Sequence, residues 1–149
     1  VKIQTVDVLS PKGVECNPFC CLCDQEQETA AHLCLHCCFA QEVWWLVHMW
    51  SDGLISIPVP GVDVEDWWNS SLCAANAENR GRVAALLIYT SRNVWNERNR
   101  RIFQGISQSP TRVLSLIKEE KELRRQACEG SHLDTLMYFL DKSSSLLFI

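Results

Sequence analysis

The sequence predicts a mainly α-helical protein, with a small N-terminal Cys/His site followed by a helical remainder. Three observations lead there. Apolar residues recur at helical spacing in several segments separated by glycine and proline. No segment alternates as a convincing strand, apart from a short extended piece beside the cysteines. Seven of the nine cysteines and two of the four histidines crowd into residues 16–38.

Taken in order, Ile3, Val6, Val8 and Leu9 form a short helical pattern that Pro11 and Gly13 end. After the Cys/His cluster, Phe39, Val43, Leu46, Val47 and Trp50 lie on one helical face, with Gly53 as the stop. Residues 53–62 hold two glycines and two prolines and read as a linker over the surface. Asp63 can cap a short helix through about Leu72 that carries Trp67 and Trp68. A long helix is expected from Gly81 to Phe103, with Ala84, Leu87, Ile88, Ser91, Trp95 and Ile102 on one face and Gly105 after it. Ser109-Pro110 is an N-cap and first-turn pair for a helix carrying Val113, Leu116, Ile117, Leu123 and Ala127, which Gly130 stops. Leu133, Leu136, Met137 and Leu140 predict one last short helix before a frayed tail. The expected organisation is a metal-binding domain over 1–52, a linker with a short helix over 53–80, a helical region over 81–142, and a frayed end over 143–149.

Composition bounds the function. The chain has 149 residues, 47% hydrophobic and 21% charged, which describes a globular protein of one ordinary domain or two very small ones. Its net charge of −4 argues against strong charge-driven binding to nucleic acid. No apolar run reaches the roughly 20 residues that span a bilayer. With no signal peptide visible and an odd number of cysteines, the expected setting is intracellular and reducing, with thiols kept for metal. Nucleus and cytoplasm are not distinguished. The chain opens on Val1, which is compatible with a piece of a longer product.

Cys20, Cys23, His32 and Cys37 read Cys-x2-Cys-x8-His-x4-Cys, three thiols and one imidazole in eighteen residues. Such a set can close a tetrahedron around one Zn²⁺. Four protein ligands leave no position for water, so the zinc would be structural and the chain no enzyme. His36 competes with Cys37 for the fourth place, since His32 and His36 imitate half of a Cys2His2 finger. The eight-residue gap is too short for such a finger, which needs about twelve. Cysteine is also often a small buried hydrophobe, but the density of ligand types here favours metal.

The run Cys20-Cys21-Leu22-Cys23, Glu28-Thr29, His32-Leu33, Cys37, Phe39-Ala40 and Val43-Trp44 resembles the zinc-binding domain that follows the reverse transcriptase in plant non-LTR (LINE-type) retrotransposons. Thr5-Val6-Asp7-Val8-Leu9 is similar to the short helix before the cysteines there. Trp95-Asn96-Glu97-Arg98-Asn99-Arg100-Arg101-Ile102-Phe103 resembles a segment that follows in many such reading frames, and Ile117-Lys118-Glu119-Glu120 is similar to their tail. The resemblance implies the ligands Cys20, Cys23, His32 and Cys37, one structural zinc and no catalysis. It also implies a module detached from its reverse-transcriptase portion, assisting RNA or DNA template handling or inactive. Cys21, Cys34 and Cys38 are extra thiols that the pattern does not require.

Arg100 and Arg101 are the candidate nucleic-acid contacts. With Arg92 and Arg98, however, they spread around the helix instead of forming one stripe. Arg98 falls inside the apolar face, so it is expected to bond carbonyls or a carboxylate of the neighbouring helix with its stem on Trp95. Trp44, Trp50 and Trp95 are expected in the core. Trp45, Trp67 and Trp68 cannot all face inward and are candidates to meet bases or a partner. The alternative to nucleic-acid binding is a protein-interaction module whose zinc is purely structural. Neither reading calls for a small-molecule substrate or a membrane.

Overall fold

A computed structural model describes residues 17–129. The expected helix over 1–15, the thiol of Cys16, the Gly130 stop and everything after it lie outside the described residues. What is described is helical. A single π turn, His32–His36, precedes helices α1 (Cys38–Trp50), α2 (Val64–Ala74), α3 (Arg80–Gln104) and α4 (Pro110–Glu129). Among the described residues the extended pairing is an isolated antiparallel bridge between Phe19 and Gln27, flanking the first two cysteines.

Helix α1 buries Phe39, Ala40, Val43, Trp44 and Val47, the face its spacing dictates. Its end is a Schellman-type turn. Gly53 N–H donates to His48 O at 2.9 Å, and Asp52 takes the left-handed position (φ 52°) just ahead of Gly53 (φ 78°). Trp50, half-buried, lies beneath the ammonium groups of Lys118 and Lys121 of α4, 5.2 and 4.8 Å from the ring centroid.

The segment after α1 does not simply cross the surface. Ile55 is fully buried. His48 Nδ1–H donates to Ile55 O (2.7 Å), and Gln41 Nε2 donates to Pro58 O (3.1 Å) and Leu35 O. Apolar burial plus these bonds strap the Pro/Gly-rich stretch to α1. Asp63 then caps α2 as expected, its Oδ2 accepting from Glu65 N at 3.0 Å. Trp67 of α2 meets Trp44 edge-to-face, ring centroids 4.7 Å apart at 70°. Trp67 therefore belongs to the core rather than to a docking face.

Helix α3 is the centre of the molecule, packed by α1, α2, α4 and the π turn. It is buried on most sides from Val83 to Val94, wider than a single apolar stripe. Past that stretch Ile102 is exposed, against expectation, and Gly105 (φ 65°) ends the helix. Helix α4 starts at the expected pair, with Ser109 Oγ accepting from Arg112 N at 3.2 Å. It buries Val113, Leu114 and Ile117, while Leu123 is 67% exposed. The α3–α4 seam turns polar beyond Ile117. Glu120 accepts from Arg92 Nη1 (2.6 Å) and Asn93 Nδ2 (2.8 Å) across the seam, so the apolar repeat there has no apolar partner.

Candidate metal centre

The segment Pro18–Glu28 folds back on itself. Glu28 N–H donates to Pro18 O (2.9 Å) and Cys20 N–H to Glu26 O (2.8 Å). Inside that loop Cys23 N–H and Asp24 N–H both donate to Cys20 O, and Asp24 adopts the left-handed conformation (φ 56°). This knuckle turns the Cys20 and Cys23 side chains to one side. The N–H groups of Leu22 and Cys23 lie toward the Cys20 sulfur and favour its thiolate.

The other two donors come from a local irregularity. Thr29 Oγ1 accepts from His32 N at 3.0 Å and starts the helical turn. The turn then widens, with Cys37 N–H donating to His32 O at 2.7 Å in an i→i+5 bond. In an α turn the residue beneath His32 is His36. The extra residue of the π turn brings Cys37 there instead. Cys37 then leaves helical geometry (ψ 134°) as the residue before α1, and the N–H groups of Phe39 and Ala40 point at its sulfur.

The donor atoms of Cys20, Cys23, His32 and Cys37 all lie within 4.8 Å of one another. Cys20 and Cys37 sulfurs are 3.8 Å apart, and Cys23 Sγ is 3.3 Å from His32 Nε2. Two thiolates on a tetrahedral zinc, each about 2.3 Å from the ion, stand about 3.8 Å apart, and a thiolate–imidazole edge is about 3.5 Å. The residues present therefore fit Zn²⁺ in both chemistry and size. The hydrogen bond between the Cys20 and Cys37 thiols, helped by the Leu22 and Cys23 N–H groups, holds the Cys20 thiol down at about 5, while Cys37 is pushed upward by the same pairing and by burial.

His36 turns away from this cluster. Its Nε2–H donates to Val62 O at 2.9 Å, and its Nδ1 is buried without a hydrogen-bond partner. The extra thiols are apart as well. Cys34 is fully buried and its thiol is pushed up to about 12 by burial. Cys21 donates to Arg98 O (3.8 Å), with its thiol raised to about 11, first by burial and then by the nearby Glu28 carboxylate. Cys38 is exposed.

Residues 1–44 match the family described as zinc-binding in reverse transcriptase. The matched segment contains all four clustered donors and ends inside α1, at Trp44. No curated protein and no solved structure matches the chain.

The matched segment is held from outside by α3. Arg98 Nη2 and Nε grip the two carboxylate oxygens of Glu28, at 2.7 and 3.2 Å, and its guanidinium carbon lies 5.1 Å from the Trp95 ring centroid. A carboxylate partner and a Trp95 contact were expected. The carboxylate, however, comes from the segment between the ligand pairs, not from a neighbouring helix. Arg100 Nη1 and Arg101 Nε both bond to Glu97, whose side chain is fully buried. Arg101 also reaches Cys21 O, Leu22 O and Gln108 O at 3.2, 3.3 and 3.4 Å, and stacks 4.8 Å from the Phe39 ring centroid. The two candidate phosphate contacts are thus engaged in internal ion pairs. Glu97 was not singled out from sequence, although its spacing of three and four to Arg100 and Arg101 is a legible pairing signal.

Among the described residues no helix is long and apolar enough to cross a membrane.

Proposed function

We propose that this chain is a non-catalytic module of a plant non-LTR retrotransposon, in which one Zn²⁺ holds a knuckle against a helical body. The observation that carries it is the Cys3His set, four donors within 4.8 Å of one another, with the Cys20–Cys37 and Cys23–His32 edges close to those of a zinc tetrahedron. The family match over residues 1–44 supports the reverse-transcriptase connection. The similarity of Trp95–Phe103 to the following segment of such reading frames supports the retrotransposon origin. A set of four protein donors leaves no coordination position for water, which supports a structural metal.

The pairing of Arg100 and Arg101 with Glu97 favours a scaffold for protein contacts over a phosphate-tracking surface. The partner in this reading is the reverse-transcriptase portion of the same element. Metal analysis of protein purified without chelator should give about one zinc per chain, and chelator should lower its melting temperature. A metal-free, chelator-insensitive protein would reject the reading. Titration with RNA and DNA at two salt concentrations separates the scaffold from a template-handling role. Steeply salt-dependent binding that Arg100→Ala weakens would establish the latter.

A further inference from the structure

Arg101 lies far from the ligands in sequence, yet two of its hydrogen bonds converge on the ligand loop. Its Nη1 donates to the carbonyls of Cys21 and Leu22 at 3.2 and 3.3 Å. A peptide group is planar and trans, so its C=O and N–H point in opposite directions. The carbonyl of Cys21 shares its plane with the N–H of Leu22, and the carbonyl of Leu22 with the N–H of Cys23. Those are the same two N–H groups that favour the Cys20 thiolate.

We propose that Arg101 is a positioning residue of the metal centre, gripping from behind the two peptide groups whose N–H ends face Cys20 Sγ. The inference rests on the zinc reading above and extends it to a residue outside the matched segment. A cation on the carbonyl side polarises each peptide, strengthening its N–H as a donor to a thiolate. It also fixes both peptide planes, so the loop need not rearrange when metal enters.

The guanidinium is itself held fast. Its Nε bonds to the buried Glu97 (2.8 Å), and Glu97 Oε1 also accepts from Gln108 N (2.7 Å). Nη2 reaches Gln108 O, and the Phe39 ring lies 4.8 Å away. A lysine cannot reproduce this. Its single ammonium has no planar fork to satisfy Glu97 and both carbonyls together.

The test is zinc affinity of the full chain by chelator competition, together with the absorption spectrum of the Co²⁺-substituted protein. Arg101→Ala should weaken zinc binding roughly 10- to 100-fold and move the sulfur-to-cobalt charge-transfer band to longer wavelength, because a thiolate that loses its N–H bonds is easier to oxidise. Arg101→Lys should fall between. Arg112→Ala, which removes an exposed ion pair with Glu119, should change neither. A folded Arg101→Ala protein with wild-type affinity and an unmoved band overturns the proposal. If that variant does not fold, Arg101→Lys decides, and wild-type values in it overturn the proposal equally. Failure of the wild-type chain to take zinc rejects the zinc reading itself, and this inference with it.

Discussion

Arg98 and Glu28, seventy residues apart in sequence, form a two-pronged ion pair whose side chains are only 6% and 1% exposed. It joins the middle of the metal-binding segment to the central helix. Removing one partner leaves a buried charge. Glu28→Ala or Arg98→Ala should each cost about 3–5 kcal/mol in urea unfolding. The double variant should cost clearly less than the sum, since each single loss includes the stranded partner. Additive costs would show that the two side chains act independently.

The proposed ligand set takes Cys37 and leaves out His36. Cys37→Ser should abolish stoichiometric zinc, as should Cys20→Ser, Cys23→Ser and His32→Ala. His36→Ala should keep full zinc content and lose only about 1 kcal/mol for the bond to Val62 O. Zinc analysis of the purified variants checks both. Loss of zinc in His36→Ala would place the imidazole on the metal.

Trp67 and Trp45 are predicted to behave oppositely. Trp67 is 4% exposed against Trp44, whereas Trp45 is 50% exposed. Trp67→Ala should destabilise by about 3–5 kcal/mol through the cavity it leaves. Trp45→Ala should stay within about 0.5 kcal/mol. Denaturant midpoints at constant slope measure each.

The buried thiol of Cys34 sets an alkaline limit. Burial pushes it up to about 12 from the ordinary 9.0, so above that ordinary value the unfolded chain releases its proton first. The folded state then holds more protons, and stability falls as pH rises from about 9 toward 12. Tyr89, raised by burial, acts in the same direction. Cys34→Ala should flatten this loss in zinc-loaded protein, at a cost in stability near neutral pH. An unchanged alkaline slope would place the effect elsewhere.

Much of this architecture was legible because its signals are local. Asp63, Ser109-Pro110 and Gly105 mark helix ends by what one residue can do with its own backbone. The spacing of Cys20, Cys23, His32 and Cys37 needs no knowledge of the fold. The π turn is different: the five residues His32–His36 do not announce an i→i+5 bond, so the sequence leaves the choice between His36 and Cys37 open even with the resemblance. Helical periodicity placed Ile102 and Leu123 inside because it reports a face, not what lies opposite it. Which of Trp45, Trp67 and Trp68 faces inward is not legible for the converse reason, since the partner of Trp67, Trp44, lies on another helix. Glu28 was quoted only as part of a motif, because the arginine that gives it a role is seventy residues away.

The grip of α3 on the knuckle also has a direction in time. Cys21 precedes Arg98 by 77 residues, an interval of roughly 4 to 15 s at ordinary rates of synthesis. Once Cys37 has emerged, the cysteines have left the ribosome but the helix that braces them has not. Under the proposed zinc reading, a nascent chain would meet metal with a looser set of thiols than the finished fold holds. Its full affinity would then arrive only when Glu97, Arg98 and Arg101 emerge and dock, so the last step in building the site would be the arrival of residues outside the proposed ligand set.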